Sequence, residues 1–140
     1  MKFSVHLAVS VVLAALFYPV FGINSFFIII GGLFPDIDHY LHFVFMKKRF
    51  NPFECNNYYT EEAKKRSYHE FDGVLFIFHT LEFLILMMLL SFYSKLAFIF
   101  TIGIAGHFIL DAIWFTYFVR RLVLNHSIIS WLIIKSKKLK

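Results

Sequence analysis

The six residues Phe34-Pro35-Asp36-Ile37-Asp38-His39 lie within residues 24–45, an otherwise apolar segment that is long enough to cross a bilayer. An aspartate at the centre of a bilayer costs about 2.5–3.5 kcal/mol on insertion scales, and this stretch contains two aspartates. A partner must offset that cost, and a bound cation is the simplest one. The stretch therefore predicts that other buried polar residues gather around the same point.

The composition favours an integral membrane protein. Of the 140 residues, 59% are hydrophobic, 21% are aromatic and only 16% are charged. This apolar share is larger than that of ordinary soluble domains, and one domain is expected at this length. The single cysteine, Cys55, has no second cysteine in the sequence with which to form a disulfide.

Four apolar segments predict an all-α fold, a multi-pass transmembrane helical bundle of about four spanning helices, because each is close to the ~20 residues needed to span. They are residues 3–21, 24–45, 73–93 and 96–118. Residues 46–72 form a polar loop that is expected to be partly helical near 59–68. The apolar residues 127–134 are too short to span and predict an interfacial C-terminal helix. We expect one integral membrane domain over residues 1–140.

The basic residues predict the orientation in the membrane. The net charge is +5, and the lysines and arginines cluster at 47–49, 64–66, 120–121 and 135–140, each beside an apolar segment. This pattern is typical of cytoplasmic loops next to anionic lipid and not of a nucleic-acid-binding surface. We expect both termini in the cytoplasm, membrane lipid as a partner and no nucleic acid. The inverted orientation is the alternative. The first segment is expected to be a retained span, since no small-x-small cleavage site follows it.

Six ionisable residues are expected to share one half of the membrane. Counted from the cytoplasmic end of each segment at about 1.5 Å per residue, all of them fall in the cytoplasmic leaflet. They are His6, Asp38, His39, His79, His107 and Asp111. His107 and Asp111 are four residues apart and share one helix face, and Asp36 and His39 are three apart. Faces of this kind point inward in helical bundles and form metal sites there.

These residues predict a divalent metal with a mixed oxygen and nitrogen shell. The predicted ligands are His6, Asp36, Asp38, His39, His79, His107 and Asp111. Asp38 and His6 are the candidates for catalysis, and Glu82 is expected either to orient His79 or to be protonated. Because the set contains no thiolate, zinc, manganese or iron suits it better than a soft metal. A metal-free network of aspartates and histidines is the alternative.

Gly31, Gly32 and Pro35 predict an interruption in the second segment. One interpretation is that a new helix begins near Pro35, because proline is favoured in a first turn. Its free N–H groups would then favour an anion such as phosphate. The other interpretation is a proline-kinked helix whose glycines allow close packing.

Four short elements together resemble a known family. They are His6, Gly-x-x-x-Pro-Asp-x-Asp-His (Gly31 to His39), His79-Thr80 and Gly-x-x-x-His-x-x-x-Asp (Gly103 to Asp111). They resemble the membrane-bound, metal-dependent hydrolases of the YdjM-like, LexA-regulated inner-membrane family. The resemblance implies a multi-pass helical inner-membrane protein with a divalent metal and hydrolytic activity.

The sequence departs from that family in two places. Its members carry a compact His-Arg-Gly-x-Thr-His-Ser element, whereas here His69-Glu70 is separated from Phe78-His79-Thr80-Leu81-Glu82. Trp114 stands where the family has a threonine.

The function favoured by these residues is metal-assisted hydrolysis near the cytoplasmic headgroup region, which suggests a phospholipid or other amphiphile as substrate. A metal or ion transporter would need polar residues that continue through the outer leaflet, and residues 11–30 and 84–100 offer few. A third hypothesis is a non-catalytic membrane scaffold that the metal staples together.

Overall fold

The computed structural model describes residues 3–65, 74–119 and 127–138. These residues contain helices and no β-strand, which confirms the predicted all-α class for this part of the chain. Within these described ranges, two helical stretches are long and apolar enough to cross a membrane, Phe3–Leu33 and Lys95–Tyr117. Part of the predicted loop and the basic pair Arg120-Arg121 lie outside the described residues.

The stretch Phe3–Leu33 is a hairpin and not one straight rod. Helix α1 (Phe3–Phe21) is followed by a 3₁₀ turn (Gly22–Ser25) and then by helix α2 (Phe26–Leu33). Gly22 has a φ of +58°, a conformation that glycine adopts without strain and that reverses the chain here. Helices α1 and α2 consequently pack against each other, and α1 alone has the 19 residues that a span requires.

Helix α3 (Asp36–Lys47) follows α2 after two residues that keep right-handed helical angles. At this point the amides of Ile37 and Asp38 donate to the carbonyls of Phe34 and Pro35. The proline therefore tightens a nearly continuous helix, which matches the kinked-helix interpretation. The amides of Ile37 and Asp38 are already paired with carbonyls, so they do not form the predicted anion site.

The predicted helix 73–93 is shorter in the structure. A 3₁₀ turn (Ile77–His79) and the extended residue Thr80 precede helix α5 (Leu81–Ser91). The hydroxyl of Thr80 accepts a hydrogen bond from the amide of Phe83 and so caps the helix. The 11 residues of α5 are about 17 Å long, which is less than a hydrocarbon core of about 30 Å.

Helix α6 (Lys95–Trp114) is the central element and packs against α1, α2 and α5. A π-helical turn (Phe115–Val119) ends it. The backbones of α2 and α6 approach very closely, because a Cβ placed on Gly103 would lie 2.1 Å from the carbonyl oxygen of Ile28. Glycine at this position therefore sets the separation of the two helices.

Two further helices lie outside this packed group. Helix α4 (Pro52–Lys65) covers more of the predicted polar loop than the short helix expected near 59–68. Helix α7 (Ile128–Lys138) includes most of the segment 127–134, for which the sequence predicts an interfacial helix.

Candidate metal centre

Side chains from four parts of the fold meet at one point, which we call the His/Asp cluster. Its members are His6 from α1, Asp36 from α3, His79 from the 3₁₀ turn, and His107 and Asp111 from α6. The histidines and Asp111 are at most 7% exposed. Potential ligand atoms lie within 4.8 Å of one another in two overlapping groups, His6/His107/Asp111 and Asp36/His79/His107.

His107 is held in one orientation by the close packing of α2 and α6. Its Nδ1 lies 2.8 Å from the carbonyl oxygen of Gly32. A carbonyl can only accept, so Nδ1 carries the proton and Nε2 of the neutral ring presents a lone pair to the cluster. One helical turn further along α6, Oδ2 of Asp111 lies 3.3 Å from that Nε2.

Asp38 lies on the opposite side of His79, whose Nδ1 has no hydrogen-bond partner among the described residues. Oδ2 of Asp38 accepts the amide hydrogen of Phe78 and lies 3.6 Å from Nδ1 of His79. A carboxylate behind the ring favours the tautomer whose Nε2 is free to bind a metal. The structure thus places Asp38 behind His79 and outside both ligand groups, whereas the sequence predicts it as a ligand and catalytic residue.

The two oriented imidazoles face each other. Nε2 of His79 lies 3.2 Å from Nε2 of His107 and 3.8 Å from Oδ2 of Asp111. Tetrahedral zinc with bonds of 2.0–2.1 Å to nitrogen places two nitrogen ligands about 3.3–3.4 Å apart. The separation of the two imidazole nitrogens is thus close to that of two ligands on one ion. The buried His6/His107/Asp111 group can likewise hold a metal ion.

His6 contacts the other oxygen of the same carboxylate. Its Nε2 lies 3.3 Å from Oδ1 of Asp111, and its ring stacks on that of His107 with centroids 3.9 Å apart. Among the described residues, Nδ1 of His6 has no hydrogen-bond partner. Asp111 is therefore shared between two histidines, one on each oxygen, and it joins α1 to α6.

The remaining predicted site residues lie at the edge of the cluster or away from it. His39 belongs to neither ligand group, and its ring packs against those of His79 and Tyr59, with centroids 4.7 Å away in both cases. Glu82, for which the sequence predicts either a contact with His79 or protonation, accepts hydrogen bonds from Ser127 Oγ at 2.6 Å and from the Ile129 amide at 3.4 Å.

A second polar contact, which the sequence reasoning missed, joins α4 to α3. The hydroxyl of Tyr59 donates to the carbonyl of His39 at 3.0 Å and lies 2.8 Å from Nδ1 of His42. Burial raises the pKa of Tyr59 far above its usual range, and burial followed by the charge of Asp36 raises the pKa of Cys55 to about 11. Both side chains are thus neutral at physiological pH. The four-residue spacing of Cys55 and Tyr59 on a polar helix is the signal that predicts this inward face.

Comparisons with known proteins do not assign a family. No protein-family model, curated protein or solved structure matches the chain. His69, the nearest equivalent of the first histidine in the family element described above, lies outside the described residues, as do Glu70 and His126. The interpretation of the cluster therefore depends on its own geometry and on the motif resemblance.

Proposed function

We propose that this chain is a membrane-embedded, metal-dependent hydrolase. The observation that carries the proposal is the 3.2 Å separation between Nε2 of His79 and Nε2 of His107. Nδ1 of His107 donates to the carbonyl of Gly32, so Nε2 of the neutral His107 ring is an acceptor. Nδ1 of His79 lies 3.6 Å from the carboxylate of Asp38, which favours the same tautomer for His79 without a hydrogen bond. In this pair of tautomers the two buried acceptors repel each other unless a cation lies between them, whereas in the metal-free network Nε2 of His79 carries a proton and donates it to His107.

The ligand set that we propose combines members of the two overlapping groups, which share His107. His6, His79 and His107 bind through Nε2, and Asp111 binds through a carboxylate oxygen. Such a shell suits zinc, manganese or iron. When bound, the ion lowers the pKa of a water ligand and polarises a phosphoryl or carbonyl oxygen.

Asp36 is the candidate for proton transfer. Its Oδ2 is buried and has no hydrogen-bond partner among the described residues, and the carboxylate belongs to the ligand group with His79 and His107. A carboxylate in this position can accept the proton that the attacking water loses. Asp38, by contrast, is already engaged with the Phe78 amide and His79. We therefore assign Asp38 a positioning role.

The position of the cluster along the helices supports a membrane substrate. His6 is the fourth residue of α1, and Asp111 is three residues before the last residue of α6. Both long apolar helices thus contribute to the cluster from one end, where the headgroups would lie in a bilayer. We propose four crossings with both termini on the cytoplasmic side, namely α1, α2 with α3, α5 together with residues 74–80 that precede it, and α6. A phospholipid or similar amphiphile is the substrate class that reaches this depth.

Metal content and turnover together test the proposal. The full-length protein, purified in detergent, is analysed for bound metal as wild type, His79→Ala and His107→Ala. His42→Ala is the matched control, because His42 contacts Tyr59 and belongs to neither ligand group. We expect metal in the wild type and the control, and its loss in the two cluster variants. The metal-loaded protein then hydrolyses at least one member of a short-chain phospholipid panel.

These measurements, together with a metal-uptake assay in sealed vesicles, separate the rival functions. Metal without hydrolysis of any substrate supports the stapled scaffold and contradicts the hydrolase. Metal that accumulates inside sealed vesicles carrying the protein supports a transporter. Absence of metal from every preparation removes both the hydrolase and the scaffold, and leaves the metal-free network of aspartates and histidines.

A further inference from the structure

Helix α7 has an apolar half and a basic half along its axis. Residues 128–134 are apolar except for Ser130, and Lys135, Lys137 and Lys138 follow them. Four of these apolar side chains are exposed, with Ile129 at 63% and Leu132 at 53%, and Ile128 and Trp131 are half-buried. Among the described residues, no carboxylate pairs with Lys135 or Lys137, although Lys135 Nζ lies 4.6 Å from the ring centroid of Trp131.

The start of α7 is attached to the segment that carries His79. Oε1 of Glu82 accepts hydrogen bonds from Ser127 and from the amide of Ile129, so the carboxylate caps the first turn of α7. Glu82 itself lies in the first turn of α5, three residues after His79. A displacement of α7 therefore acts on the turn that positions one ligand of the His/Asp cluster.

We propose that α7 binds anionic lipid at the membrane surface and that Glu82 couples this binding to the His/Asp cluster. The occupant follows from charge and polarity together. Lysines without a carboxylate partner, beside the half-buried Trp131 and exposed aliphatic side chains, match a surface of phosphate headgroups above acyl chains. A purely zwitterionic surface would satisfy the apolar half of α7 and leave its lysines without counter-charge.

This inference rests on the membrane placement in the proposed function and not on hydrolysis. The lipid test uses the full chain with Trp114→Phe, which leaves Trp131 as the one tryptophan. The protein is placed in vesicles of brominated phosphatidylcholine with increasing phosphatidylglycerol, and quenching of Trp131 is measured. We expect quenching to increase with the anionic fraction. The double variant Lys135→Gln/Lys137→Gln should need about tenfold more anionic lipid for half-maximal quenching. Lys47→Gln/Lys48→Gln, a pair at the end of α3, is the matched control and should behave as the parent.

The coupling is tested by the rate at which a chelator removes zinc from the loaded protein. In the native sequence, zinc loss should be severalfold slower in anionic than in zwitterionic vesicles. Ser127→Ala removes the hydroxyl that donates to Glu82. In this variant the rates of zinc loss in anionic and zwitterionic vesicles should be equal, while Trp131 quenching still responds to anionic lipid. If the quenching of Trp131 does not change with the fraction of anionic lipid, the proposal that α7 binds anionic lipid is overturned. If the native sequence loses zinc at the same rate in anionic and zwitterionic vesicles, the coupling of α7 to the His/Asp cluster is overturned. If the chain binds no zinc, the proposed function and the coupling fail, whereas the Trp131 measurement still decides the lipid site.

Discussion

Nδ1 of His107 donates to the carbonyl oxygen of Gly32 across the interface between α6 and α2, at 2.8 Å. This contact links the packing of the fold to the chemistry of the site. The two helices approach closely at their glycines, which brings a backbone acceptor to the imidazole and fixes its tautomer. A change that separates the helices should therefore disturb metal binding without touching a ligand.

Gly103→Ala is the substitution that tests this link. The new Cβ would lie 2.1 Å from the carbonyl oxygen of Ile28, so the backbones must move apart. We expect a loss of stability of about 1–3 kcal/mol, together with reduced metal content, since overpacking of this kind costs that much. Thermal unfolding in detergent and metal analysis measure the two effects.

Gly106→Ala is the matched control for that substitution. It lies on the same helix, and its Cβ would meet only the end of the Leu13 side chain, at 2.8 Å. A flexible side chain can move aside, so the loss of stability should be clearly smaller. Equal effects of the two alanines would contradict the role of the α2–α6 contact.

Asp38→Asn should weaken metal binding without removing a ligand. The amide oxygen of asparagine can still accept the Phe78 hydrogen, so the local backbone is retained. The charge behind His79 is lost, and loss of such a partner lowers metal affinity about 10–100-fold. Competition with a chelating dye measures the change. Asp38→Glu is the control, because it retains the negative charge on a longer side chain. Unchanged metal affinity in Asp38→Asn would contradict the positioning role of Asp38.

Cys55 reports on the packing of α4 against α3. Because burial raises the pKa of its thiol to about 11, the thiolate fraction near pH 8 is about a hundredfold lower than for an ordinary cysteine. We expect slow alkylation by iodoacetamide at pH 8, with a rate that rises as the pH approaches 11. Tyr59→Phe removes the hydroxyl that holds α4 to the carbonyl of His39 and should speed the reaction. Fast alkylation of the folded protein at pH 8 would contradict this packing.

The sequence predicts well those features that depend on spacing within one helix. His107 and Asp111 share a face because they are four residues apart, and α1 follows the apolar run 3–21. Sequence reasoning does not separate the roles of Asp36 and Asp38. They lie about 200° apart around a helix, and tertiary packing places Asp36 in a ligand group and Asp38 behind His79.

Features that depend on distant partners escaped prediction. The break before α5 depends on Thr80 as a cap and on Asp38 as an acceptor for the Phe78 amide, 40 residues away in sequence. The three-residue spacing predicts that Glu82 orients His79 or is protonated, whereas in the structure its carboxylate accepts a hydrogen bond from Ser127. The role of the Gly32 carbonyl as an acceptor for His107 cannot be predicted from residue types, since every residue has a backbone carbonyl.

Cysteine labelling tests the proposed orientation of the chain. In a Cys55→Ser background, single cysteines replace Ile23 and Tyr93, which lie at the two helix-connecting turns and are 81% and 89% exposed. Both turns should face away from the cytoplasm, because the basic clusters lie at the opposite ends of these helices. A membrane-impermeant maleimide added to intact spheroplasts should label both positions. Phe50→Cys, in the loop between α3 and α4, should be labelled only after lysis. Labelling of Phe50→Cys alone before lysis would establish the inverted orientation, and labelling of only one of the two turns would show that α5 does not cross.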